Sequence, residues 1–362
     1  MKILILGNNG GGLLCFRKEL LEELVKTHDV YCCVPPSEAD TEIRSIGCET
    51  VPVKLEGHGT NPIEEAKLLK NYAEILKQIS PDIVFTYTIK CNAYGGMASA
   101  HRNIPYVANI TGLGTAIENG GLMQKISLLL YKIGLRKAQK VFFQNTENRD
   151  FLISHGVVKG SYDMLPGSGV NLERYKVTPY RDGETTDFAF IARVIKEKGI
   201  DQYLDAAKEI RKRHPETRFH ICGACGQEYK ELLKELNEAG TIIYHGAVND
   251  MLPIYQMISC TVHPTYYPEG LSNVLLESAA SGRPIITTDR PGCREVVEDG
   301  INGYVVKQRD SRDLIEKIEK FLSLSWEQKR NMGLAGRAKV EREFDRQIVV
   351  NKYLEEITHV GL

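Results

Sequence analysis

At 362 residues the chain is too long for one ordinary domain and long enough for two. A composition of 42% hydrophobic and 26% charged residues, with 32 Gly and 14 Pro, excludes a disordered chain, a collagen and a disulfide-dense scaffold. Lys plus Arg total 46 against 47 for Asp plus Glu, so the net charge of -1 gives no global footprint for nucleic acid, and any attraction to a polyanion is local.

No apolar run reaches the ~18 residues of a membrane span, and the opening apolar run is too short for a signal peptide. The expectation is a cytoplasmic protein. Nine cysteines, an odd number scattered from Cys15 to Cys293, read as thiols in a reducing compartment.

Residues 2–6 form an apolar run ending at Gly7, helical spacing follows over 16–26, and 30–34 is apolar again: strand, helix, strand. The alternation continues through 82–86, 105–110 and 140–144, the pattern of a parallel sheet covered on both faces. Residues 166–170 and the polar stretch 177–187 lack any apolar period and are expected to form a linker. Strands are then predicted at 188–192, 219–222, 242–245, 261–264 and 285–287, with helices over 200–213 and 272–281. Beyond Arg312 the chain reads as charged helix, with a terminal helix at about 344–357 placed to pack back on the first domain. The fold class is α/β: two doubly wound, Rossmann-like domains over 1–170 and 185–343, followed by the segment 344–362. Such folds bind ligands outside the carboxyl ends of their strands, so the active site is expected in the cleft between the domains.

Residues 7–12, GNNGGG, follow the first strand and open the first helix, and glycines there let backbone N–H groups, those of Gly11 and Gly12, approach a phosphate or sugar. A plain tight turn is an equal reading. The spacing departs from the dinucleotide pattern G-x-G-x-x-G, and strand 30–34 runs into Pro35 and Pro36 instead of an acidic residue, which weakens a dehydrogenase.

Residues 263–284, HPTYYPEGLSNVLLESAASGRP, read as strand end, loop and helix, with Glu269 in the loop and Glu277 eight positions on, about two turns inside the helix. The helix start at Gly270, Leu271, Ser272 and Asn273 offers N–H groups suited to a diphosphate. Glu277 suits a vicinal diol such as a ribose, and Glu269 suits sugar hydroxyls. The alternative makes Glu269 a helix-charge residue and Glu277 a structural carboxylate. Tyr266 and Tyr267 either line the sugar pocket or pack.

This segment resembles the retaining glycosyltransferases of family 4, which have the GT-B architecture and two glutamates separated by seven residues. Residues 191–200, IARVIKEKGI, are similar to the family's diphosphate-gripping stretch, which assigns that role to Arg193 and Lys198. FHICGACG at 219–226 resembles its strand ending in a glycine turn, and GCRE at 292–295 with DGING at 299–303 matches its later signature. The resemblance implies transfer of a hexose or N-acetylhexosamine from a nucleotide diphosphate, expected to be UDP, with Glu269 on the donor sugar and Glu277 on the ribose. It also implies that no metal or other cofactor is needed. The first domain has no convincing D-x-D motif, and the C-x-x-C of Cys222 and Cys225 lacks a second ligand pair.

Where many members carry a histidine near the transferred sugar, this chain has VANITGLGT at 107–115, so Thr111 or the backbone at Gly112 takes that place on the acceptor side. The TGLG stretch resembles a subset acting on polyprenyl-diphosphate-linked sugars in bacterial surface polysaccharide or glycan assembly; Thr111 reads equally as a strand-end turn residue.

Between 121 and 140 stand five basic residues, Lys125, Lys132, Arg136, Lys137 and Lys140, and no acidic one, among Leu122, Ile126, Leu129, Leu130 and Ile133. On one helix Lys125, Lys132, Arg136 and Lys140 share a face beside the apolar stripe. That face suits the anionic inner surface of the plasma membrane or a lipid diphosphate, and equally a core-packed helix with solvated cations. Two other functions stay open: a UDP-sugar epimerase of related two-domain fold, and a non-catalytic nucleotide-sugar-binding module.

Overall fold

The computed structural model describes residues 1–55, 61–118, 120–181, 183 and 185–360. Asp182 and Glu184 of the expected linker, and the last two positions of the expected terminal segment, lie outside the described residues. The chain divides into two units, one of Met1–Gly169 together with the chain from Arg346 on, the other Val170–Asp345.

In the first unit, β1 (Lys2–Leu6), β2 (Asp29–Val34), β3 (Glu49–Pro52), β4 (Ile83–Tyr87), β5 (Tyr106–Ile110), β6 (Lys140–Phe143) and β7 (Tyr162–Met164) form one parallel sheet in the order β3-β2-β1-β4-β5-β6-β7. In the second, β8 (Asp187–Ile191), β9 (Arg218–Cys222), β10 (Ile243–Gly246), β11 (Cys260–His263), β12 (Ile285–Thr288) and β13 (Gly303–Val306) form a parallel sheet in the order β10-β9-β8-β11-β12-β13. Both orders reverse direction once, between β1 and β4 and between β8 and β11. Outside the carboxyl ends at such a reversal the flanking loops part and leave a crevice.

The apolar runs specify these sheets because both faces are covered. Along β1, Ile3 and Ile5 enter the core that holds the helix Gly10–Leu24, while Leu4 and Leu6 enter the opposite core against the helix Pro62–Ile79. Along β8, Phe188 and Phe190 go one way, Ala189 and Ile191 the other.

Three strands carry no signal in the sequence reading: β3, β7 and β13. All are edge strands of four residues or fewer, and β3 and β7 are half-exposed, so no continuous apolar run marks them. The first helix begins at Gly10 with Asn9 as its N-cap, so the glycine stretch opens it as expected, and the helical spacing over 16–26 covers only its later turns. The expected linker is largely tied down. Tyr180 is buried and its hydroxyl donates to Ser259 O at 2.9 Å, while the buried Arg283 donates to Thr178 O at 3.2 Å and to Tyr255 O at 2.6 Å. A guanidinium supplies fixed donors to a stretch with no apolar period of its own.

The helix Arg346–Thr358 returns to the first unit. Tyr353 lies between Phe85 and Phe142, with ring centroids at 4.9 and 5.2 Å, and its hydroxyl accepts from Asn109 Nδ2 at 2.9 Å. Arg346 pairs with Glu19 at 2.8 Å and donates to Gly169 O at 3.2 Å. No helix among the described residues is long and apolar enough to cross a membrane. Tyr353→Ala removes a fully buried ring and leaves Asn109 without its partner, so denaturant titration of the full chain is expected to show a loss of about 3 kcal/mol or more; a loss under about 1 kcal/mol would contradict this account of the helix.

Candidate functional site

On the second unit, the two loops that flank the reversal are bound to each other. The turn Lys196–Lys198 follows β8, and residues 264–269 follow β11. The Glu197 carbonyl accepts from Tyr266 N–H at 2.9 Å and from the Thr265 hydroxyl at 3.3 Å. Gly199 ends the turn at φ 79°, and a Cβ there would collide with the Pro264 carbonyl, so glycine is required both by the backbone and by the close approach of the second loop.

This clasp brings three of the predicted residues together. Lys198 Nζ pairs with Glu269 Oε1, the two side chains only 11% and 18% exposed. The same ammonium lies 4.8 Å from the centre of the Tyr267 ring, and the exposed guanidinium of Arg193 lies 5.9 Å from it. Tyr267 is thus the floor on which both cations stand. The guanidinium of Arg309 lies 4.4 Å from the centre of the Tyr266 ring. Gly292, at φ 87°, abuts Glu269 and Gly270, and its carbonyl accepts from Ser272 N–H at 2.8 Å. Next to it the Cys293 thiol is pushed up to about 12, by burial first and by the Glu269 carboxylate second.

The helix is Asn273–Ala280, so Glu277 opens its second turn and is not two turns inside as expected. Its carboxylate accepts from the Tyr255 hydroxyl at 3.1 Å; burial, then the nearby Glu277 charge, raises that phenol well above its ordinary value. Leu271 is buried in the core beneath the loop. The Ser272 N–H is spent on Gly292, which moves the available N–H groups to Asn273 and beyond. Ser272 is the N-cap but makes no side-chain cap bond, so the first turn is open to an anion. Asn273 Oδ1 is buried with no hydrogen-bond partner among the described residues.

His263, at the end of β11, has no role in the sequence reading although it opens the quoted motif. It is buried, its Nε2 is 3.4 Å from the Ser272 hydroxyl, and its Nδ1 has no partner among the described residues. Burial, then the Lys198 charge, lowers it to about 3, which holds it neutral beside the cation.

In the first unit Gly11 and Gly12 open the helix after β1, where Gly12 N–H donates to Asn9 Oδ1 at 2.5 Å. Thr111 and Gly112 follow β5, Gly112 at φ 141°. The sequence reading missed their neighbours. Thr88, just after β4, has φ 70°, a strained conformation for a β-branched residue, at the edge where this unit's own reversal lies. Beneath it Thr86 donates to Asn92 Oδ1 at 2.6 Å, Asn92 to Asn109 O at 2.9 Å, and Gln144 to Asn109 Oδ1 at 3.3 Å. The one signal for this network was Thr86 and Asn109, polar residues standing inside otherwise apolar strands.

The basic segment differs from its expectation. The helix Gly121–Gly134 ends before Arg136, and Lys140 is the first residue of β6, paired with Glu356 at 3.2 Å. The four cations therefore do not share one helical face. Cys222 and Cys225 are free thiols.

The second of these two parallel units thus carries two cations and a carboxylate on the loops after β8 and β11, and comparison with known proteins gives the family. The profile of the family described as "Glycosyl transferases group 1" matches residues 173–339, and that of "Glycosyl transferase 4-like" matches 2–145. The chain belongs to these glycosyltransferases. It is 25% identical, over 98% of its own length and 98% of the relative's, to the N,N'-diacetylbacillosaminyl-diphospho-undecaprenol α-1,3-N-acetylgalactosaminyltransferase of Campylobacter jejuni. Among solved structures it resembles HepE of Anabaena bound to UDP-glucose, with a TM-score of 0.81 at 18% identity over all of both chains. It also resembles a sucrose-phosphate synthase of Thermosynechococcus elongatus, with a TM-score of 0.81 at 17% identity over 100% of this chain and 99% of that one. At these identities the likeness shows the shared GT-B fold.

The lowered His263 sets a pH dependence of stability. The unfolded chain takes up a proton near the ordinary value of 6.5 while the folded chain resists until about 3, so stability falls as pH drops through that window and is unaffected above it. Melting temperatures of the wild type are expected to decline from pH 6.5 downward more steeply than those of His263→Gln. Equal slopes would show that His263 is not held neutral.

Proposed function

We propose that the chain is a retaining, metal-independent glycosyltransferase that moves an N-acetylhexosamine or hexose from a UDP-sugar to a sugar carried on a polyprenyl diphosphate. The observation that carries this reading is the shielded Lys198–Glu269 pair, with Arg193 across the same Tyr267 ring, beside an uncapped helix start. The acceptor class rests on the name of the Campylobacter relative, which aligns end to end, and on the TGLG stretch; the choice of UDP is supported by the ligand of the Anabaena structure.

In the proposed reaction the bond from the sugar's anomeric carbon to the diphosphate oxygen breaks and the leaving group gains negative charge. Arg193, Lys198 and the N–H groups from Asn273 on are fixed donors for that charge, a role metal ions fill in other transferases. Glu269 accepts from donor-sugar hydroxyls, held in place by Lys198, and Glu277 accepts from the ribose diol. The acceptor hydroxyl oxygen bonds to the anomeric carbon on the face the leaving group vacates, and its proton passes to the departing phosphate oxygen. The donor's anomeric configuration is thereby kept.

Glu269→Gln is expected to lower turnover about a hundredfold while UDP still raises the melting temperature, and Lys198→Ala to weaken both. Wild-type transfer should persist in EDTA, and donor alone should give no isomerised sugar. A Glu269→Gln enzyme with normal transfer, or stabilisation by NAD in place of UDP, would sink the reading.

A further inference from the structure

The helix Gly121–Gly134 turns its apolar side chains outward. Leu122 is 72% exposed, Leu129 58%, Ile133 48% and Ile126 42%. At ~100° per residue these four lie within an arc of about 60°. The residues by which the helix packs on its own unit, Ser127, Tyr131 and Gly134, are buried on a different side. At Gly134 the backbone presses so closely on Asn92 and Ala93 that a Cβ would clash, so the docked face is fixed and the apolar stripe has no room to turn inward.

The charge around the stripe is of one sign. Lys125 and Lys132 flank it on one side, seven positions apart, and Arg136 and Lys137 are exposed just past the helix end. No Asp or Glu occurs from Gly121 to Gln144. Among the described residues Lys125, Lys132 and Arg136 have no ion-pair partner, and the Lys137 ammonium donates only to Ala100 O and Asn103 Oδ1, both at 3.4 Å. A contiguous apolar strip in water requires a cover. A second copy of the same face would set cations against cations. An anionic bilayer meets both needs, taking the apolar side chains into the acyl boundary and the cations at lipid phosphates. The helix is only about 21 Å long, too short to span, so it lies in the plane of the surface.

We propose that the helix Gly121–Gly134 is a membrane-docking element, inserting Leu122, Ile126, Leu129 and Ile133 into an anionic phospholipid surface with Lys125, Lys132, Arg136 and Lys137 on its phosphates. The inference rests on exposure and charge and stands whether or not the transferase reading holds.

The test is sedimentation of the full chain with vesicles of phosphatidylcholine alone and of phosphatidylcholine mixed with phosphatidylglycerol, without nucleotide or acceptor. The wild type is expected to pellet with the mixed vesicles, little with the neutral ones, and less as salt rises. Lys125→Gln with Lys132→Gln should lower partitioning about thirtyfold. Leu122→Ser with Leu129→Ser should abolish it with an unchanged melting temperature, because both side chains sit in solvent in the free protein. A wild type that stays in the supernatant with mixed vesicles, or a double serine variant that pellets like the wild type, overturns the proposal. So does a dimer of the free chain that the serine variant dissolves, since that assigns the face to a second copy.

Discussion

The arrangement of the second unit's site depends on one clasp, in which the Glu197 carbonyl takes hydrogen bonds from the loop after β11. The two loops leave neighbouring strands on opposite courses, which is what a sheet reversal does to its connections. Left free, their charged side chains would be solvated separately. Held together, Lys198 and Glu269 shield each other from water, and removing either would strand the other in a half-dry setting. Gly199 makes the approach possible and Tyr267 gives it a floor, so two residues without charge set the electrostatics of those that have it.

The sequence reveals the parts of this fold that obey a single rule. Central strands such as β1 and β8 are wholly apolar because helices cover both faces, and the helix Ile200–Arg213 shows its period along its entire length. Edge strands are short and half-wet, so β3 and β7 give no run to read. The first helix shows apolar spacing only beyond its glycine opening at 10–12, since a residue without a side chain has no period. In the basic segment the cations were visible, but which side of the helix faces water was not; the decision belongs to Gly134 and Tyr131, which dock against residues far away in sequence.

The site was legible to the same uneven degree. Arg193, Lys198 and Glu269 stood out through resemblance, each a charged residue at a strand-to-helix crossing. His263 and Thr88 did not, because their significance is conformational: one is a titratable ring held neutral by burial, the other a β-branched residue in a left-handed backbone. Neither property can be assigned without neighbours. The polar cluster of Thr86, Asn92, Asn109 and Gln144 belongs to the same class, for Thr86 and Asn109 look misplaced in apolar strands until their partners are known.

The first unit is built from both ends of the chain, with the second threaded between them as an insertion. During synthesis the ribosome therefore finishes the inserted unit while the first still lacks the helix that carries Tyr353. Until the closing residues emerge, Asn109 has no phenol to donate to, and the groove between Phe85 and Phe142 is open to water. The second unit is contiguous in the chain and can reach its native core before the helix that carries Tyr353 has been made.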